Sequence, residues 1–396
     1  MSETAEASCP VVEADEQFDQ QSMARASTAV LSSIFVLTGV GTALLGSALP
    51  AILSHWSLSD RDGGYLFLLA WLGASLGAAL SRGNTVHSLA RGLLLLTACC
   101  FLLLRAGSHQ VFPLIFGYGV GLGIAMTSIS LLRSQRSGER RSREMNRLNM
   151  LWALGALACP SLARHALHTS RVGYLFATIG SIFALSCLWV LAVELKFPSG
   201  QQPMPQRASA RDASLPILLG IFSAFIVGVE SAMGGWMTTY ARRLDHSVAA
   251  AVTATSAFWA GLLLSRALHS LPAMARISSA ATLRTHLWLT AVSACVLSIM
   301  VSPAWLLAAA FGVGAGLGPL YPTLLTLVLP RYRGTRVFLL AGLGSAAFPW
   351  MTGWVSTQTG SLREGLLVPT GAACLLVAMM WAVLRTLQSP APPARS

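Results

Sequence analysis

One carboxylate in this chain stands where water is scarce. Glu230 sits inside IVGVESAMGGWMTTY (226–240), in an apolar run that begins near Pro216. The run is long enough to cross a bilayer, since about 20 apolar residues rising 1.5 Å each span the hydrocarbon. An acid at that depth costs roughly 2.5–3.5 kcal/mol, so its presence implies a task. The chemistry open to it is proton uptake and release as its surroundings turn dry or wet. The competing account is a protonated carboxyl bonded to a neighbouring helix. On the same helix Met237 shares the face of Glu230, while Trp236 and Tyr240 share an adjacent one. Other side chains able to line a central cavity with them are Thr38, Thr42, Trp71, Tyr118, Asn149, Trp152 and Tyr321. For any single Trp or Tyr, packing or a place at the membrane interface competes with ligand contact.

Elements that could position such residues are bounded by composition. The 396 residues are 54% hydrophobic and 11% charged, whereas soluble chains carry about 25% charged residues. No soluble core hides so much apolar surface, which leaves a polytopic, all-α membrane protein. The net charge is +12, and Lys196 is the one lysine among 27 basic residues. The arginines fall in short connections between apolar runs, so they read as topology signals rather than as a nucleic-acid surface. Seven cysteines and eight histidines show no metal-ligand spacing, so neither metal nor cofactor is expected.

Twelve apolar segments follow one another, at roughly 28–53, 63–81, 88–106, 111–132, 147–167, 172–194, 214–240, 247–266, 284–301, 304–328, 335–357 and 364–386. Residues 1–27 read as a disordered, acidic cytoplasmic tail with little to pack and without the pattern of a signal peptide. The polar stretch 196–213 divides a first bundle, 28–195, from a second, 214–387, and 388–396 is a short tail. With both termini cytoplasmic, the inner connections hold 20 of the 27 basic residues and the outer ones 7. The expected setting is therefore the plasma membrane, a bacterial inner membrane, in multi-pass form with both ends inside. Arg133 and Glu194, at run ends, are expected to snorkel toward water. The arginine-rich 133–147 reads as a solvated loop that touches lipid headgroups.

The chain repeats itself. GYGVGLGIAMTSISLL (117–132) matches GVGAGLGPLYPTLLTL (312–327) with every glycine in register. LGALACP (154–160) matches LGSAAFP (343–349), TGVGTALLG (38–46) matches VGVESAMGG (227–235), and Ser81-Arg82 matches Ser265-Arg266. Both halves start on the same side, so the repeats are parallel and related by an axis normal to the membrane. Gly117, Gly121, Gly312 and Gly316 recur every four residues within a run, the spacing of close helix packing rather than of a phosphate loop. Pro160 and Pro349 stand at matching points and are expected to kink their helices.

These features resemble the major facilitator superfamily over nearly all of 28–387. Within it the chain is most similar to the fucose–galactose–glucose proton symporter branch. VGVESAMGGWMTTY (227–240), with Glu230, Gly235, Trp236 and Tyr240, and GLGPLYPTLLTL (316–327) carry that likeness. The resemblance implies alternating access, a solute held between two six-helix halves, and a carboxylate coupled to protons. Two departures stand out. GAALSRGNTVHSLAR (77–91) has Ser81 where the family's loop after the second helix carries Asp, and Gly41 occupies the position matching Glu230.

The expectation is a monomeric secondary transporter in the lipid bilayer, carrying a small polar, sugar-like solute with proton coupling through Glu230. One alternative is an exporter of apolar or cationic compounds that Glu230 attracts. Another is a membrane sensor that transports nothing. An enzyme is not expected, because no nucleophile–base pair or His/Asp cluster is visible.

Overall fold

The computed structural model describes residues 10–81, 85–137, 141–194, 217–245, 247–299, 302–328 and 334–388, and among them the only extended elements are helices. The helices are α1 (Pro10–His55), α2 (Asp60–Leu80), α3 (Thr85–Leu103), α4 (Val111–Arg136), α5 (Arg141–Thr169), α6 (Gly173–Glu194), α7 (Ile217–Asp245) and α8 (Val248–His269). A short 3-10 turn at Pro272–Arg276 leads to α9 (Ser279–Ile299), α10 (Pro303–Leu317), α11 (Leu320–Val328), α12 (Gly334–Thr359), α13 (Leu362–Gly365) and α14 (Leu367–Gln388). Counting α10 with α11 and α13 with α14, each of the twelve expected segments has its helical rod among the described residues.

Eleven of these rods are long and apolar enough to cross a membrane. The twelfth, α5, has the length but is diluted by Asn146, Arg147, Asn149, Arg164, His165 and His168. It does not need an apolar coat on every side, because α1 and α8 flank it. The α1–α5 contact is backbone to backbone: a Cβ on Gly39 would lie 2.0 Å from the Trp152 carbonyl oxygen, and one on Gly155 would lie 1.9 Å from that of Val36. Elsewhere large apolar side chains such as Leu94, Leu102, Leu185, Trp288 and Trp381 point outward, as a lipid-facing surface requires.

Three sequence expectations are corrected. The helix α1 begins at Pro10, so residues 10–27 of the expected tail are helical. Pro10 suits a first turn, and no glycine interrupts the stretch before Gly39. Arg133 and Glu194 do not snorkel: both are buried. Arg133 pairs with Glu144 and donates to the Thr28 hydroxyl at 2.7 Å, while Glu194 accepts from Arg136 at 2.7 Å and from Ser27 at 2.5 Å. The supposed loop 133–147 is thus mostly the ends of α4 and α5, and its buried pairs tie α1, α4, α5 and α6 together. The divider 196–213 lies outside the described residues, as does 389–396.

The repeat governs packing inside each half. In α4, Gly119 and Gly123 meet the carbonyls of Ala70 and Ala74 on α2, while Gly117 and Gly121 meet Cys99 and Leu96 on α3. In α10, Gly314 meets Phe258 on α8, while Gly312 and Gly316 meet Ser293 and Thr290 on α9. These glycines let helices within one half approach closely, and they do not form the surface on which the halves meet. That surface is made by α2 with α12, α5 with α8 and α1 with α7. There Gly46 faces the backbone of Gly235, where a Cβ would come within 2.9 Å.

The tenth rod breaks between α10 and α11 for a reason legible in its residues. Pro319 and Pro322 lack an N–H, so the carbonyls four residues earlier, Ala315 and Gly318, lose their helical donors. A freed carbonyl in hydrocarbon needs another partner. His286 Nδ1 takes up Ala315 at 3.1 Å, and Arg266 Nε donates to Gly318 at 3.0 Å.

Candidate functional site

Between the halves lies a cavity of about 110 Å³ walled by α1, α2, α4, α5, α7 and α8. Thr42, Phe67, Trp71, Tyr118, Trp152 and Trp259 supply most of its specific features, and Glu230 is the one charged side chain of its wall among the described residues. A second cavity, of about 350 Å³, lies toward the end where α1 starts and is lined by Asn146, Asn149, Arg266, His269, Thr282 and Thr323, among others.

The two cavities meet at an ion pair. Arg266 Nη2 donates to Glu230 Oε1 at 3.3 Å and Oε2 at 3.2 Å, with side chains 14% and 13% exposed. Glu230 lines the first cavity and Arg266 the second, so the pair stands between them. Arg266 is held independently of its partner: Nε is fixed on the carbonyl freed by Pro322, and the guanidinium carbon lies 5.8 Å from the centre of the Trp152 ring. Trp152 meets Trp259 edge-to-face across the halves, with ring centres 5.7 Å apart. Its indole N–H donates to Thr42 Oγ1 at 3.3 Å, and Thr42 donates to the Thr38 carbonyl at 2.8 Å.

Of the residues singled out in sequence, the structure brings Thr42, Trp71, Tyr118, Trp152 and Glu230 to the central cavity and Asn149 to the second. The others lie elsewhere. Trp236 is buried with its N–H on the Pro349 carbonyl at 2.9 Å, joining α7 to α12. Tyr240 donates to the Leu297 carbonyl at 2.8 Å, joining α7 to α9, and Met237 is 1% exposed in the core of that half. Thr38 is buried and bonded to the Phe35 carbonyl at 2.7 Å. Tyr321, on α11, forms part of neither cavity wall but stays within electrostatic reach of Glu230. Pro160 and Pro349 sit within continuous α5 and α12.

Sequence reasoning passed over three groups. Arg266 was counted as a topology charge at the end of a run. Its partnership with Glu230 shows only once α7 and α8 are side by side, although the Ser265-Arg266 repeat marked the position. Asp60 and Arg243, the remaining two, pair with each other. At the end of the bundle where α1 finishes, Arg243 grips Asp60 with two nitrogens, at 2.7 and 2.6 Å. Ser356 donates to the same carboxylate at 2.5 Å, and Arg61 N donates to Thr357 Oγ1 at 2.8 Å. These contacts cross from the first half to the second and close that end. At the opposite end the described ion pairs, Arg133–Glu144 and Arg136–Glu194, stay within the first half.

Known proteins agree with this architecture. Residues 31–336 match the model of the Major Facilitator Superfamily. The chain belongs to that superfamily. It matches no curated protein sequence. Among solved structures, it superposes on a bacterial homolog of the human lysosomal transporter Spinster, in an inward-facing and unoccupied conformation, with a TM-score of 0.66. Identity is 16%, with 92% of this chain and 98% of that one covered. It also superposes on the E. coli fucose:proton symporter FucP, with a TM-score of 0.55, 14% identity, and coverage of 91% and 98%. At such identities the likeness is one of fold. This major facilitator protein is a secondary transporter and not an enzyme.

Proposed function

We propose that this major facilitator protein couples proton movement through Glu230 to the transport of a small solute held in the central cavity. The observation that carries the reading is the Glu230–Arg266 pair between two cavities at the interface of the halves. A carboxylate beside a cation stays charged, and loss of that partner in a dry cavity favours its protonated form. One residue then links proton occupancy to conformation, provided the two states differ in how they surround it. The solute is polar on one side and apolar on another, because the cavity offers aromatic faces along with a few polar groups. The likeness of fold to a fucose:proton symporter supports both parts of the reading. Export of cations is disfavoured, since Arg266 already answers the charge of Glu230.

The end with the larger cavity faces the cytoplasm in this reading. It is the end where Arg25, Arg147, Arg266, Arg276 and Arg284 gather. The protein acts as a monomer in the plasma membrane. Reporters fused after Arg211 read cytoplasmic and those after His168 read external, and the reverse result overturns the orientation.

Uptake into proteoliposomes tests the coupling, with and without an imposed pH gradient. Glu230→Gln keeps the shape and cannot titrate. It abolishes accumulation driven by the gradient while sparing solute exchange. If the variant concentrates solute as wild type does, Glu230 is a structural group and the coupling reading is wrong.

A further inference from the structure

The two ion pairs that involve the facing halves differ in kind. Arg243 holds Asp60 through two nitrogens at 2.6 and 2.7 Å, the parallel fork of a strong pair. Arg266 meets Glu230 through Nη2 alone, shared between both oxygens at 3.2 and 3.3 Å. Its Nη1 makes no hydrogen bond among the described residues, and Nε with the Trp152 stack fixes the group without help from Glu230. A guanidinium so placed keeps its position when the carboxylate leaves.

The cavity beside it has a one-sided hydrogen-bonding balance. Trp259 is 6% exposed, lines the cavity, and its buried N–H has no partner among the described residues. An unpaired buried donor is costly and calls for an acceptor. Tyr118 already donates to the Gly41 carbonyl at 3.0 Å, and Thr42 and Trp152 satisfy one another. Ser231 remains as a hydroxyl able to donate or accept. Trp71 adds another indole N–H, and the rest of the wall besides Glu230, with Phe67, Leu122 and Met126, is apolar. A neutral sugar would turn hydroxyls toward walls that cannot answer them. A cation would meet Arg266.

From this placement we infer that the solute is a small organic monoanion with an apolar body, and that its carboxylate replaces that of Glu230 on Arg266 when Glu230 takes up a proton. The inference deepens the coupling reading and rests on it. The charges around the exchange are few. Among the described residues, Arg266 on α8 is the charged group against Glu230, with the Tyr321 phenol on α11 in electrostatic reach and His269 beside Arg266 in the larger cavity.

The charge balance follows directly. Empty, the site holds the Glu230 carboxylate and the Arg266 cation. Loaded, it holds neutral Glu230, the solute carboxylate and the Arg266 cation. Both states sum to zero, so neither carries net charge across the dry centre of the membrane. One proton and one monoanion move together, and the cycle is electroneutral. Symport of a proton with a neutral sugar would instead carry one positive charge.

Matched triads of acid, alcohol and amine test the class. Cyclohexanecarboxylate, cyclohexylmethanol and cyclohexylmethylamine form one, and glucuronate, glucose and glucosamine another. Added to the purified full-length protein, an acid raises the thermal unfolding midpoint more than its alcohol or amine does. Arg266→Gln weakens that binding about tenfold or more, and Arg266→Lys, which keeps the charge but loses the planar set of donors and the contact with Trp152, weakens it as well. Glu230→Gln binds the acid at least as tightly as wild type and without dependence on pH. Accumulation of the stabilising acid in proteoliposomes does not change when a potassium–valinomycin potential is imposed. Equal stabilisation by alcohols or amines overturns the inference. So does stabilisation by no acid, full binding by both Arg266 variants, or accumulation that follows the potential. A neutral solute concentrated by the pH gradient would overturn the substrate class and leave the coupling reading standing. Selective acid binding with gradient-driven accumulation intact in Glu230→Gln would do the opposite.

Discussion

The two halves share a plan and differ at one matched position. In the second, α7 presents Glu230 to the cavity, and Arg266 of α8 answers it. In the first, α1 presents Gly41, and Tyr118 of α4 fills the space above it, its hydroxyl bonded to the Gly41 carbonyl at 3.0 Å. A Cβ on Gly41 would lie 2.9 Å from that hydroxyl. One half therefore offers a neutral, aromatic wall, and the other carries the cavity's ion pair. The difference teaches that duplication supplied the frame, while the charged groups at the cavity reside on one side of it.

The comparison can be broken first where the halves are alike. Gly121→Leu and Gly316→Leu occupy equivalent positions, where even a Cβ lies 2.8 Å from Leu96 Cγ and 2.3 Å from Thr290 Oγ1. Both substitutions cost folded protein in the membrane severely and to a similar degree, read as monodisperse yield after extraction. A large difference between them would mean the two bundles are not assembled alike.

The next effect separates the halves. Arg266→Met leaves Glu230 without its cation in a largely dry site, a loss of about 3 kcal/mol by the usual cost of breaking such a pair. The unfolding midpoint falls and transport stops. The double variant Glu230→Gln with Arg266→Met makes the second half neutral like the first. It recovers most of the stability and none of the coupled transport. A smaller shift follows from Asp60→Asn, which loosens the grip of Arg243 and Ser356 at the closed end by about 1–2 kcal/mol. A cysteine pair placed across that end then cross-links less readily than in the parent. The smallest effect belongs to Tyr118→Phe, which removes one hydrogen bond worth about 1 kcal/mol and leaves pH coupling intact. Loss of coupling in that variant would place proton chemistry in the first half too.

Much of the frame was legible in sequence because it repeats. Helix positions and the close glycine packing inside each half follow from apolar run length and spacing. The cavity was legible in part. Thr42, Trp71, Tyr118 and Trp152 of the first half meet Glu230 of the second there, each a polar or aromatic residue that stands out within an apolar run. Trp236 and Tyr240 went elsewhere because helical phase gives a direction but not the neighbour that occupies it. A carbonyl on α12 and another on α9 took their hydrogen bonds. Arg266 was hidden by hydropathy itself: an arginine one turn from a helix end scores as a boundary, whether it faces headgroups or a buried acid. The break at Pro319 and Pro322 was written in plain letters. Its meaning required knowing that Arg266 stands opposite the freed carbonyl.

The edge-to-face contact of Trp152 and Trp259 has an optical consequence. One indole belongs to each half, and their ring centres are 5.7 Å apart. Two such chromophores at right angles couple their excited states, and the coupling fades steeply as they separate. A movement that parts α5 from α8 therefore changes the near-ultraviolet circular dichroism of the unlabelled protein. Separation of those two helices is thereby readable in real time without adding a dye.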